Sequence, residues 1–258
     1  MVLCLCGVID KKMLSNIRIV LIGTSHPGNI GAVARAMKNM CLSSLYLVQP
    51  RIFPSAEATS RASGADDVLA RAQICQSLEE ALQGCCMVIG TSARSRTLSW
   101  PVLDARSCAA RVCQESQSHP VAIVFGREHS GMTNEELELC HAQVKISGNP
   151  DYMSLNIAAA VQIIVYEILM AEQALDGLSD NAVVEAGDDE TVLASADEMA
   201  LYYRHLEEVM VQTDFLDPQR PRFLMRRLRR LYNRARPDKN EINILRGILT
   251  AIQKHMPE

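Results

Sequence analysis

Four short stretches of this chain are nearly continuous apolar runs: Ile17 to Ile22, Leu45 to Val48, Met87 to Ile89 and Val121 to Phe125, with Val144 to Ile146 as a shorter fifth. A strand with one face in water alternates apolar and polar residues, so runs apolar at successive positions must be covered on both faces. The arrangement that does this is an open, mostly parallel sheet between two layers of helices, an α/β fold. The segments between the runs supply the helices. Ile30 to Met40 and Asp104 to Glu115 carry apolar residues at helical spacing, and Thr133-x-x-Glu136 is a capping box that starts another helix. Leu155 to Leu169 forms a long apolar helix interrupted by Asn156, Gln162 and Glu167, short of the roughly 18 uninterrupted apolar residues of a membrane span. Residues 1–16 read as an N-terminal extension, since Met1 to Ile9 lacks the basic start and small-residue cleavage site of a signal peptide.

Polarity changes abruptly after residue 175. Between Asp176 and Glu198 there are eight acidic residues and no Lys or Arg, the composition of a flexible linker that isolates the C-terminal part of the chain. We place a main domain at 17–175, an acidic linker at 176–194 and a small helical unit at 195–258. Ser195-x-x-Glu198 caps a helix through about Gln212, Arg222 to Asn233 forms a second, and Asp238-x-x-Glu241 caps a third through about Lys254. From Arg220 to Arg236 there are eight arginines and no acid, interleaved with apolar residues such as Leu224, Leu228 and Leu231. An apolar face can dock while an arginine face points outward, and guanidinium groups so concentrated call for a polyanionic partner. The alternative is a solvated face balanced by the acidic linker.

Several chemistries are excluded. The turn after the first run, Gly23 to Gly31, holds no Gly-x-Gly-x-x-Gly, and Gln49-Pro50 stands where a dinucleotide fold places an acid. Neither a Walker lysine motif nor Gly-x-Ser-x-Gly occurs. The nine cysteines are scattered without metal spacing, so neither a disulfide framework nor a metal site is expected, and reduced cytoplasmic thiols are the simplest account.

Three motifs remain: Asn29-x-Gly31-x-x-x-Arg35 after the first strand, Phe125-Gly126-Arg127-Glu128-x-x-Gly131 after another, and Ser154-Leu155-Asn156 opening the long apolar helix. In this order and with these spacings they resemble the SPOUT class of S-adenosylmethionine-dependent RNA ribose 2'-O-methyltransferases, and the likeness, running from Ile17 to about the last helix, extends to a tRNA-directed branch that modifies nucleotide 32 of the anticodon loop. The resemblance implies a deep trefoil knot, a homodimer whose two subunits build the site together, S-adenosylmethionine as cofactor and tRNA as partner, with no membrane and no metal. By matching position it implies cofactor contacts from Thr91, Ser92, Ala93, Gly126, Ile146, Met153, Ser154 and Leu155. It marks Arg35 as catalytic, with Asn29 shaping the same turn, Ser154 positioning the hydroxyl or the cofactor, and Asn156 orienting the loop. Ser154 also reads as a helix N-cap.

Glycines at carboxyl ends of parallel strands, Gly90 and Gly126, either make ordinary strand-to-helix turns or let backbone approach a planar adenine. Arg35 stands one helical turn beyond Gly31. A guanidinium does not readily surrender a proton, so its physical role is to grip a phosphate and stabilise the developing alkoxide. Arg94 and Arg96 fit phosphate contacts beside the site, as do Arg226, Arg227, Arg229, Arg230 and Arg234 in the helical unit. Trp100 reads as a packing anchor or a base-stacking platform. Two further readings stay open: a 2'-O-methyltransferase acting on ribosomal RNA, and a non-catalytic RNA-binding protein of the same fold.

Overall fold

The computed structural model describes residues 14–92, 100–149, 151–152, 154–179 and 192–255, with 220–222 excepted. The sequence's nearly continuous apolar runs form the centre of a sheet in which every described pair is parallel. Its strands are β1 (Ile17–Ile22), β2 (Ser44–Val48), β3 (Gln73–Cys75), β4 (Met87–Thr91), β5 (Val102–Leu103), β6 (Val121–Phe125) and β7 (Ala142–Val144), in the order β3-β2-β1-β6-β4-β7-β5. In β1 the residues Ile17, Ile19 and Leu21 face one core while Val20 and Ile22 face another. The period of two thus explains why the run is apolar at both parities.

Two strands escaped the sequence reading. β3 and β5 are the sheet edges, three and two residues long, and their exposed Ile74 and Val102 break the pattern that marks a doubly covered strand. The strand expected at 144–146 lies at Ala142–Val144 instead, where β4 and β5 both pair with it.

One core lies under α1 (Pro27–Asn39), α5 (Ala105–Ser116) and α7 (Ile157–Ser179), with α2 (Ala56–Ala62) and α3 (Asp66–Ala70) packed outside α1. α1 begins three residues earlier than expected, with Pro27 in its first turn, where a missing N–H costs nothing. Gly31 therefore sits inside the helix and not in a turn. A Cβ there would stand 2.0 Å from the carbonyl oxygen of Ala58, so this glycine serves the close approach of α1 to α2. α7 starts at Ile157 and runs past Leu169 to Ser179. By length and composition Ile157–Leu175 could cross a bilayer, and its buried face, Val161, Ile164, Val165 and Ile168, packs on α1 and α5.

The second core lies under α4 (Leu78–Leu82) and α6 (Asn134–Glu138). Over it sits the helical unit, α8 (Ala196–Gln212), α9 (Leu224–Ala235) and α10 (Lys239–Lys254), with its own centre of Met199, Tyr202, Tyr203, Ile242 and Leu249. The capping boxes expected at Thr133, Ser195 and Asp238 are all present. The unit is not isolated as its linker implied. The N–H of Ala196 donates to the Cys85 carbonyl at 2.9 Å and that of Gly84 to Asp197 at 2.9 Å. Residues 192–194 belong with this unit too, since Ala194 donates to the Pro237 carbonyl at 3.1 Å. The acidic stretch 180–191 lies outside the described residues.

Candidate functional site

The carboxyl ends of β4, β6 and β7 open into a cleft of about 320 Å3. Among the residues expected to hold a cofactor, Thr91, Ser92, Gly126, Ile146, Ser154 and Leu155 all line it. Ala93 and Met153, together with Arg94 and Arg96, lie outside the described residues. Arg127, Glu128, His129 and Ser130 close one wall, in a turn pinned where Arg127 and Gly131 exchange backbone bonds at 3.1 and 2.9 Å.

The glycines here serve packing. A Cβ on Gly126 would meet the Gly131 backbone at 2.2 Å, and one on Gly90 would meet the Cys140 thiol at 2.9 Å. The space beside each Cα is filled by the protein's own atoms, so both positions need glycine for close packing, and Gly126 also lines the cleft.

The three motifs meet through side chains. Glu128 accepts hydrogen bonds from the N–H of Ser25 at 3.1 Å, that of His26 at 3.4 Å and the Ser25 hydroxyl at 3.2 Å. Asn29 Nδ2 also donates to it at 3.1 Å. A carboxylate only accepts, so the Asn29 amide must turn its NH2 toward Glu128 and its oxygen away. That oxygen takes Asn156 Nδ2–H at 3.1 Å, which in turn aims Asn156 Oδ1 at the N–H of Ala158, 2.9 Å away. The polarity of the whole chain of amides is set by one ionised group. Burial would raise the Glu128 carboxyl, and the bonds from its own backbone, from Asn29 and from Ser25 and His26 outweigh it, holding the pKa below the ordinary carboxylate value.

Asn156, and not Ser154, therefore caps α7. Ser154 is left exposed on the cleft. Glu128 was quoted in the second motif but given no task. The signal that could have found it is an acid in a glycine turn facing the unbonded N–H groups that open α1.

Arg35 is exposed on α1, is not among the cleft-lining residues and has no hydrogen-bond or ion-pair partner among the described residues. One chain alone does not bring it to the cleft. Trp100 is buried, its Nε1–H donating to the Cys140 carbonyl at 3.0 Å, which makes it an anchor and removes the stacking role. No group of three or more His, Cys, Asp or Glu side chains placed to hold a metal ion occurs among the described residues.

The arginine helix divides in two. Arg226 pairs with Glu138, Arg236 with Glu115, and the Arg229 guanidinium lies 4.9 Å from the centre of the Tyr203 ring. Arg226 and Arg229, expected to face RNA, are thus turned toward the protein. Arg227, Arg230 and Arg234 surround Leu231 on the outer side. Their i, i+3, i+7 spacing places all three on one face. The arginines at 220 and 222 lie outside the described residues.

Comparison with known proteins fits both halves. Residues 16–166 match the SpoU rRNA methylase family, and residues 197–258 match the C-terminal domain of the tRNA methyltransferase TrmJ. The tRNA (cytidine/uridine/adenosine-2'-O-)-methyltransferase TrmJ of Pseudomonas aeruginosa is 53% identical over 245 residues, 94% of this chain and 95% of the relative. The tRNA (cytidine/uridine-2'-O-)-methyltransferase TrmJ of Cronobacter sakazakii is 51% identical over 95% of this chain and 99% of its own. The crystal structure of TrmJ from Z. mobilis superposes with a TM-score of 0.79 at 30% identity, covering 92% of this chain and 98% of that one.

Proposed function

We propose, for a chain that belongs to the SpoU methylase family and ends in the TrmJ C-terminal domain, that the cleft holds S-adenosylmethionine and the protein methylates ribose 2'-hydroxyls of tRNA. The target is cytidine or uridine at position 32 of the anticodon loop. The observation that carries the reading is the hydrogen-bond chain from Glu128 through Asn29 to Asn156, because it gathers all three motifs at the edge of one cleft.

The cleft suits the cofactor. Its volume of about 320 Å3 is of the size that encloses a small ligand. Ile146, Leu155 and Ile157 offer apolar faces to a purine, while Thr91, Ser92 and Ser154 offer hydroxyls to a ribose and an amino-acid tail. When bound, S-adenosylmethionine supplies an electrophilic methyl group. The residues of the chain do the rest. Ser154 orients the attacking 2'-hydroxyl, held at the cleft by the capped start of α7. Arg35 grips the neighbouring phosphate and stabilises the oxygen as negative charge develops on it, the proton leaving to water or to a phosphate oxygen. Arg227, Arg230 and Arg234 hold the tRNA backbone.

Because Arg35 does not line its own chain's cleft, the enzyme works as a homodimer in which this arginine serves the partner's site. β7 is inserted between β4 and β5, and we read the return of the chain from β7 into α7 as the closing pass of a trefoil knot. The protein acts in the cytoplasm, where its substrate is.

The decisive experiment is mass spectrometry of nucleosides from tRNA of a deletion strain, joined to methylation of defined tRNA by the purified protein. Loss of 2'-O-methylcytidine or 2'-O-methyluridine from position 32, restored by the gene, supports the reading. Intact tRNA with a lost ribosomal 2'-O-methyl group would overturn it. Substrates carrying adenosine at position 32 decide whether the wider range in the name of the Pseudomonas relative extends here. Calorimetry should find one S-adenosylhomocysteine per chain, and a chelator should leave methylation unchanged.

A further inference from the structure

The turn joining α6 to β7 carries a carbonyl that two distant parts of the chain share. The oxygen of Cys140 accepts Trp100 Nε1–H at 3.0 Å and Asn233 Nδ2–H at 3.3 Å. Trp100 leads into β5 at the edge of the sheet domain, and Asn233 lies in the arginine helix α9. The same Asn233 amide donates to the Glu138 carbonyl at 3.2 Å, and its oxygen accepts the Tyr203 hydroxyl at 2.6 Å. All three groups at the junction, Asn233, Trp100 and Cys140, are buried.

The other end of Cys140 faces the cleft strands. Its thiol fills the space beside Gly90, the residue before Thr91 of the cleft wall. Burial raises the thiol pKa far above its usual value, so the group is a neutral packing element. The next strand, β7, is tied at both sides, Gln143 donating to the Pro101 carbonyl at 2.8 Å and Val144 accepting from the N–H of Ser92 at 3.2 Å. Val144 and Ser92 both line the cleft. A close-packed interior transmits such a displacement instead of absorbing it, so Cys140 cannot shift without moving Gly90 and Thr91 or Trp100 and Pro101.

We propose that Asn233 is a positioning residue for the cofactor cleft. Seated α9 holds the Cys140 carbonyl in place, and Cys140 sets β4 and β7 where they meet the cofactor. Arg230 and Arg234 stand on the same helix within one turn of Asn233, so tRNA held by the outer arginines stabilises the seated helix and tightens the cleft. By linkage the cofactor then strengthens tRNA binding by the same factor. This inference rests on reading the cleft as the cofactor site and α9 as the RNA helix.

The test uses the full-length protein, titrating S-adenosylhomocysteine by calorimetry and recording emission from Trp100, the only tryptophan in the chain. Asn233→Asp keeps an acceptor for Tyr203 and removes the donors to Cys140 and Glu138. Asn233→Ala removes both sides, and Tyr203→Phe removes the hydroxyl's bonds to Asn233 and to the Arg229 carbonyl while leaving those to Cys140 and Glu138. Both Asn233 variants should bind S-adenosylhomocysteine about fivefold more weakly, the low end of coupling between sites, and shift the Trp100 emission. Tyr203→Phe should match wild type in both readings. Saturating tRNA should tighten S-adenosylhomocysteine on wild type and fail to do so on either Asn233 variant. Wild-type affinity and emission in folded Asn233 variants would overturn the inference. An equal loss in Tyr203→Phe would overturn it too, because loosened docking alone would then suffice. If wild type itself bound no S-adenosylhomocysteine, the reading of the cleft would fall and carry the inference with it.

Discussion

The cleft and the arginine helix solve opposite electrostatic problems. In the cleft a single carboxylate, Glu128, is surrounded by donors until its charge is fully engaged, and the orientation of Asn29 and Asn156 is fixed by it. On α9 charge is in surplus, and the protein engages only the inner half: Glu138 and Glu115 take Arg226 and Arg236, while Arg227, Arg230 and Arg234 stay outside. A satisfied charge fixes geometry, and an unsatisfied one attracts a ligand. The difference separates the residues that shape the site from those that reach for RNA.

Arg35 tests the comparison most severely, as the unengaged charge assigned to chemistry. Arg35→Ala should lower kcat by about a hundredfold or more, the cost of removing a charged group aimed at a transition state, with S-adenosylhomocysteine affinity unchanged in calorimetry. Arg35→Lys should recover part of the rate, because a point charge lacks the planar fork that grips a phosphate. Near-normal single-turnover methylation by the alanine variant at saturating tRNA would move attention to Ser154.

Next in size is the contrast between the two faces of α9. Replacing Arg227, Arg230 and Arg234 together by alanine should weaken tRNA binding on the order of thirtyfold and reduce the slope of log K against log salt by about 2 to 3, one unit per lost phosphate contact. Melting temperature should hardly change. Arg236→Ala should do the reverse, leaving Glu115 half-buried without its partner and costing about 3 kcal/mol of stability, the lower end for a broken buried pair, with a nearly unchanged salt slope. If both sets shift the slope equally, inner and outer arginines are not distinct.

What the sequence revealed divides along the same line. The doubly covered strands and the capping boxes are written in local patterns, and so they were legible down to Thr133, Ser195 and Asp238. The three motifs are brought to one place, since Asn29 and Asn156 are hydrogen-bonded beside the cleft that Gly126 and Ser154 line. Their division of labour was not legible, because it depends on partners about a hundred residues away: Glu128 for Asn29, and Asn29 for Asn156. The same blindness affected the arginines of α9 and its C-cap, which look alike in sequence, and Glu115 and Glu138 hold two of them, Arg236 and Arg226, inward. Edge strands β3 and β5 were missed because two or three half-exposed residues carry no period.

A smaller effect is expected inside the cleft's own network. Glu128→Gln keeps the shape but substitutes an NH2 for one acceptor oxygen, so a donor of Ser25, His26 or Asn29 loses its partner and the Asn156 amide is no longer fixed. We expect kcat to fall about tenfold, the low end of the value of one hydrogen bond to a charged group, with the affinity for S-adenosylhomocysteine changing less than about twofold. A loss in affinity as large as the loss in rate would show that the chain of amides shapes the cofactor site and not the approach of the 2'-hydroxyl.

The smallest effect lies at the seam between the two regions, at His141. It is buried, its Nδ1 accepts the Val88 N–H at 3.0 Å, and burial, followed by the nearby charges of Arg236 and Arg111, pushes its pKa from 6.5 down to about 4. Its folded pKa is the lower of the two, so on acidification the unfolded chain takes up the proton first. Stability is therefore complete above about pH 6.5 and is lost as the pH falls toward 4. Between about pH 7.5 and 5.5 the loss is about 1 kcal/mol from this residue. His141→Asn retains an acceptor at the Nδ1 position and removes the titration, so its melting temperature should fall less than that of wild type over this interval, in which the carboxylates stay ionised. If the two proteins lose stability in parallel, the seam is not where acid acts, and the contrast between a fixed cleft and an adaptable arginine face has no pH-sensitive hinge between its halves.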